Sequence, residues 1–336
     1  MLKFIESKNR SSIGRLLVTL SLLGLIGVSC GGSTKDSPRQ MVNYFPEPAF
    51  VSLKNDSKVE QFPSESVWNG GPNMLYNSIT PDGKVLLATS PNTSRVHAFD
   101  ARSGKKLAVI KVGKGSKGIK ISPNGKEAYV TNEAENSISV IKLSNFKVVA
   151  KIRTKKKPHN VRFNKKGSRA YVTLQGGAGL GVINTRKRRV IKVIPIKGLV
   201  GPHNLDLSKN GNYAFVRDTY NTVAVVRLKS GKVKKLIKVG LGHAGIDVIP
   251  NGKYVFTGAI GDKVVTVINA KTLKVVKKIN VGKGPHGVRA SKNSRWVYVS
   301  VTGANTVVVI DTKTLKVVKT YKVGQFPFWI SVNGNP

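Results

Sequence analysis

Apolar and polar positions alternate along this chain in short runs, and the same succession of runs returns six times. Each unit opens on a turn, "TPDGK", "SPNGK", "NKKGS", "SKNGN", "IPNGK" or "SKNSR". Four residues after the turn glycine (Ser294 in the last unit) come "LATS", "YVTN", "YVTL", "FVRD", "FTGA" and "YVSV". They begin at Leu87, Tyr129, Tyr171, Phe215, Phe256 and Tyr298, at spacings of 42, 42, 44, 41 and 42 residues. Period-2 alternation rich in β-branched and aromatic residues predicts strands packed on both faces. Asn-Gly at the turn supplies the left-handed backbone of a tight connection. In the sixth unit the predicted strands are His286–Ser291, Trp296–Val301, Thr306–Asp311 and Lys316–Lys322. A repeat of this length, made of strands and turns, reads as one β-propeller blade.

The chain ends settle how many blades are expected. Phe326–Val332 supplies one more first strand and then the repeat stops. Met41–Phe45, Ala49–Leu53 and Lys58–Phe62 resemble second, third and fourth strands that lack a first. The expectation is therefore an all-β, seven-bladed β-propeller over residues 41–336, four antiparallel strands per blade. The C-terminal strand joins three N-terminal strands in the last blade and so removes the open edges. A six-bladed ring with an N-terminal extension is the alternative.

The motif "YVTN" at Tyr129–Asn132, its relatives in each unit, and the recurring "VGKGPHGV" and "VVVIDTKTLKVV" carry a resemblance. The chain resembles the YVTN family of β-propeller repeats over about residues 41–336. The resemblance implies a seven-bladed propeller in an exported protein. Members of that family include surface-layer-like proteins and a periplasmic propeller that binds single-stranded DNA, with tetrapyrrole-binding and lactonase propellers as relatives.

Ahead of the repeats, Lys3, Lys8, Arg10 and Arg15 precede an apolar run from Leu16 to Val28, too short for a permanent span. With Cys30 after Ser29, the arrangement resembles a bacterial lipoprotein signal, although Gly27 stands where that signal usually has Leu. This predicts a signal peptide over 1–29, lipid attachment at Cys30, a polar tether over 30–40 and export to a bacterial membrane, the outer one favoured by Gly31. Cys30 is the one cysteine, so no intramolecular disulfide holds the fold.

Charge changes the functional picture more than the fold. The formal net charge is +41, and between Asn136 and Leu205 there is no acidic residue against 17 Lys and Arg. Fourth strands such as "KVVAKIRT" and "KVVKTYKV" are lysine-rich, which protects the outer edge of a blade from strand addition. Lys114, Lys117, Arg153, Lys155, Lys156, Lys157, Lys197 and Lys283 are expected on loops of the channel face as an anion-binding set. The expected partner is an anionic macromolecule, whether nucleic acid, glycan or lipid head groups. A protein partner for a surface scaffold is the alternative, and the molecule itself is read as a monomer.

Eight residues before the turn glycine, His159, His203 and His286 occupy one equivalent position, with His243 one residue early in its own unit. They are candidate channel-face ligands together with Phe326 and Trp329, and a metal or tetrapyrrole is an alternative reading. The favoured expectation is no resident metal, no cofactor and no catalytic residue. Five residues before the turn glycine stand Lys120, Arg162, Asp206, Asp247, Arg289 and Trp329. A lactonase-like hydrolase would pair Asp206 with His203; the quieter reading pairs Asp206 with Arg162 and Asp247 with Arg289. Single-strand binding needs exposed aromatic platforms, for which Trp68, Phe326, Phe328 and Trp329 are the candidates.

Overall fold

A computed structural model describes residues 47–177 and 179–335. The signal-peptide, Cys30 and tether assignments, and the strand expected at Met41–Phe45, lie outside the described residues. Among those residues the chain forms seven four-stranded antiparallel sheets and four single-turn 3₁₀ helices. Blades one to six span residues 77–111, 116–153, 158–195, 204–238, 246–280 and 285–322. The sixth is built from Pro285–Ala290, Trp296–Val301, Thr306–Asp311 and Lys316–Lys322.

The seventh blade is closed by both ends of the propeller, in the order Pro327–Val332, Ala49–Leu53, Lys58–Phe62, Ser66–Asn69. Ala49–Leu53 pairs with the C-terminal strand on one side (Val51 opposite Ile330) and with Lys58–Phe62 on the other (Val51 opposite Glu60). Seven blades therefore stand, and the six-bladed alternative falls. The strand positions shift by one, however: Ala49–Leu53 is second, Lys58–Phe62 third and Ser66–Asn69 fourth. Ser66–Asn69 escapes sequence reading because it is only four residues long, carries no lysine and buries Trp68 alone.

The alternation within strands explains why the ring coheres. Seven buried apolar clusters lie one between each pair of neighbouring blades. Tyr129 contributes to the cluster between blades two and three, whereas its neighbour Val130 belongs to that between blades one and two. Successive side chains on a strand point to opposite faces, so each strand serves two interfaces.

The turn between first and second strands is held by its own polar residues. In blade two Ser122 Oγ donates to Asn124 Oδ1, which accepts the Lys126 N–H, and Gly125 has φ +70°. In blade six Ser294 takes the glycine's place at φ +62°. There the same Ser291–Asn293–Arg295 contacts hold the backbone, and Ser294 Oγ accepts the Asn251 N–H of blade five at 2.8 Å.

Candidate functional site at the channel face

The histidines reach the channel because the motif hydroxyls fix the strands that carry them. Thr131 Oγ1 donates to the His159 carbonyl and Thr173 Oγ1 to the His203 carbonyl, both at 2.7 Å. Each bond ties a second strand to the first strand of the next blade. Blade four carries Arg217 at this place. Its side chain is fully buried and donates to Asp218 Oδ1 at 2.8 Å, to the Gly240 carbonyl at 2.7 Å and to the Gly242 carbonyl. That anchors the loop leading to His243.

Four of the five histidines converge on the axis. Ring centroids are 3.8 Å apart for His159 and His203, 4.6 Å for His203 and His243, and 5.2 Å for His243 and His286. His243 bridges the gap that sequence spacing left between His203 and His286. His286 Nδ1 donates to the Phe328 carbonyl at 2.8 Å, and His203 Nδ1 lies 3.2 Å from the Gln175 side-chain amide. Tyr76 Oη lies 2.8 Å from His159 Nε2, and Glu133 Oε1 is 3.5 Å from its Nδ1. Glu133 is placed by the 3₁₀ turn Glu133–Glu135 that follows the "YVTN" strand. Burial, with neighbouring imidazoles adding to it, pushes His203 and His286 well below the usual histidine range. His243 is lowered to about 4, by burial first and then by His159 and Arg217. Burial also lowers His159 against the opposing pull of Glu133. At neutral pH this is a cluster of uncharged imidazoles.

One level deeper lies a belt of charge. Arg289 donates to Asp247 Oδ1 at 2.6 Å, and Arg162 Nε is 3.3 Å from Asp206 Oδ1. The carboxylates also take backbone N–H groups of the next blade, Val248 on Asp206 and Ala290 on Asp247. The quieter pairing is thus the observed one. Asp206 makes no bond to His203, so the acid/base couple imagined for a hydrolase is not assembled. Lys120 is buried near these pairs with no carboxylate within 4.0 Å. Burial, then Arg162 and Arg289, push its amine well below the usual lysine range.

The aromatic candidates do not offer the open platforms expected of them. Trp329 is 3% exposed, with its ring 4.7 Å from that of Tyr76, and Phe328 and Trp68 are buried as well. Phe326 is half-buried beneath the Lys54 ammonium. The channel mouth is filled by packed side chains, and among the described residues only Tyr220, 54% exposed, is an aromatic in the open. By contrast Lys114, Arg153, Lys155, Lys156, Lys157, Lys197 and Lys283 are all exposed. Lys117 is half-buried, 3.9 Å from Glu133. Tyr76, Glu133 and Arg217 were missed by the sequence reading. A residue breaking the repeat, such as Arg217 where four of the other five units carry Thr or Ser, was the available signal.

Comparison with known proteins bears on this geometry. The family described as "Lactonase, 7-bladed beta-propeller" matches residues 42–238. The chain belongs to the seven-bladed lactonase propeller family. A second description, "YNCE-like beta-propeller", matches residues 202–335 of this lactonase-family chain. A search of curated proteins finds no match. Among solved structures, a functionally unknown protein from Desulfotomaculum acetoxidans is 14% identical with a TM-score of 0.74, covering 86% of this chain and 99% of its own. A candidate 6-phosphogluconolactonase from Bacteroides fragilis is 18% identical with a TM-score of 0.71, covering 85% and 97%. The dihydro-heme d1 dehydrogenase NirN, in complex with DHE, is 15% identical with a TM-score of 0.65, covering 85% and 75%. At such identities the likeness is one of fold alone.

Proposed function

We propose that this lactonase-family propeller is a non-enzymatic binding module for an anionic macromolecule, held by the basic loops of the channel face and the lysine-rich outer wall. In this reading Cys30 anchors the chain to a bacterial membrane and presents the propeller to polyanions near that surface.

The observation that carries the proposal is unneutralised charge. Among the described lysines, only Lys117 and Lys151 lie within 4.0 Å of a carboxylate. Most carboxylates in ion pairs are taken up by arginines, at Glu127, Asp206, Asp218, Asp247 and Asp311. Apart from Lys151, the lysines of the fourth strands in blades one to six are therefore exposed and have no carboxylate partner within 4.0 Å. Such a surface attracts polyanions by charge density. The burial of Trp329, Phe328 and Trp68 argues for recognition of sulfate or phosphate groups rather than stacked bases. What favours binding over lactone hydrolysis is the engagement of both channel aspartates by arginines and backbone N–H groups.

The test is a titration of the full chain with a sulfated polysaccharide, a single-stranded oligonucleotide and anionic vesicles, at low and at about 150 mM salt. The expected result is binding that weakens steeply with salt. Reversing Lys155, Lys156 and Lys157 to Glu should weaken it about tenfold or more. No binding to any of the three at low salt refutes the proposal. Turnover of a lactone with loss on Asp206→Asn replaces it with the hydrolytic reading.

A further inference from the structure

The channel histidines show three features that polyanion binding does not use. First, one ring nitrogen each of His203, His243 and His286 lies within 4.8 Å of the other two. The centre of any such triangle is at most about 2.8 Å from each nitrogen, against roughly 2.0–2.1 Å for a Zn–N bond. Side-chain adjustments of under an ångström close that gap. Second, the tautomer of His286 is set. His286 Nδ1 gives its proton to the Phe328 carbonyl, so Nε2 carries a free lone pair, and this atom is buried without a hydrogen-bond partner. At His203 the Gln175 side-chain N–H donates to Nδ1, and Nε2 is buried and unpartnered; a 180° turn of the Gln175 amide sets its oxygen against an Nδ1–H and frees the Nε2 lone pair for a metal. A ring held from behind by a backbone carbonyl or an amide is how proteins orient metal-binding imidazoles. Third, the surroundings are close to neutral: Arg217 is balanced by Asp218 at 2.8 Å, and Lys117 by Glu133 at 3.9 Å.

We infer that His203, His243 and His286 form a binding site for a divalent transition metal of the zinc or copper type, closing the axis of the propeller at its channel face. Three neutral imidazoles from three successive blades make a nitrogen-only donor set, which suits zinc and copper and disfavours calcium or magnesium. A three-histidine set leaves one coordination position for water or an anionic ligand. His159 stands beside the site as a positioning residue, its ring stacked on His203 and held by Tyr76. Bound metal would also clamp blades four, five and six together around the axis.

The test uses the full chain, stripped with a chelator and titrated with Zn²⁺ against a chromogenic competitor, with Co²⁺ as a spectroscopic substitute. One Zn²⁺ per chain is expected, with the strong visible absorption of four-coordinate Co²⁺. His243→Ala removes the least buried ligand, so the fold should survive, and Zn²⁺ affinity should fall at least ~100-fold. Cys30→Ser should leave binding unchanged, which separates the site from the lone thiol. Failure to retain Zn²⁺ or Co²⁺ overturns the inference. So does full affinity in His243→Ala, or loss of binding in Cys30→Ser.

Discussion

Arg217 offers the sharpest test of how the channel face is held together. It is fully buried, and its guanidinium donates to Asp218 Oδ1 at 2.8 Å, to the Thr222 and Tyr220 carbonyls at 3.3 Å, and to the Gly240 and Gly242 carbonyls. Arg217→Met keeps most of the apolar stem but strips every one of these donors. Asp218 retains only backbone N–H groups, from Tyr220 at 3.0 Å and Thr222 at 2.8 Å. Removing one partner of a buried ion pair costs about 3–5 kcal/mol, because the other charge stays in place without compensation. The orphaned carbonyls act in the same direction, at about 1–3 kcal/mol for each that water cannot reach. The expected loss is therefore at least ~3 kcal/mol, a large share of the stability of an ordinary domain. Urea unfolding followed by the fluorescence of Trp68, Trp296 and Trp329, all buried, reads it as a shifted midpoint. Adding Asp218→Asn to Arg217→Met should recover part of the loss, since the stranded charge is then gone. A loss under ~1 kcal/mol for Arg217→Met, or no recovery in the double variant, refutes the reasoning.

The belt below the histidines predicts a response to alkali. The Lys120 amine is depressed in the folded chain, so between its folded value and about 10.5 the unfolded chain binds more protons, and stability rises with pH. Urea midpoints at pH 7.5 and 9.5 should show that rise in the native sequence and a flatter response in Lys120→Met; equal slopes would remove the cause. Deleting residues 327–335 takes the first strand from blade seven and bares the edge of Ala49–Leu53. The truncated chain should lose cooperative unfolding and self-associate in size-exclusion chromatography, and a monomer that unfolds as before would contradict the closure described above.

Repetition made the ring legible, and departure from repetition hid the site. The six turn-and-strand units located blade six to within a residue at each strand, because period-2 alternation and Asn-Gly turns are local properties. Ser66–Asn69 was lost since its role as a fourth strand comes from pairing with Lys58–Phe62, not from its composition. Offsets from the turn glycine brought His159, His203 and His286 to one level. They did not reveal that His243, one position early on a loop, fills the gap, nor that Glu133 and Tyr76 arrive from other places in their blades. The aromatic residues failed for a related reason. Trp329 faces the axis as its offset implies, but it packs on Tyr76 and His286 and is buried there.

Closure of the ring by its two ends also sets a timetable. Blades one to six are continuous in sequence, so each can pair its strands soon after it is made. Blade seven stays incomplete for longer: its three N-terminal strands can pair with one another, but the strand that pairs with the other side of Ala49–Leu53 begins 258 residues after Asn69. At usual rates of synthesis that is a wait of roughly 15–50 s. During it Ala49–Leu53 offers a row of unpaired N–H and C=O groups to any strand that passes. The last strand of a neighbouring chain has the right sequence to take that place, so crowded synthesis favours exchange of strands between copies, and a dilute, unhurried one favours the closed ring.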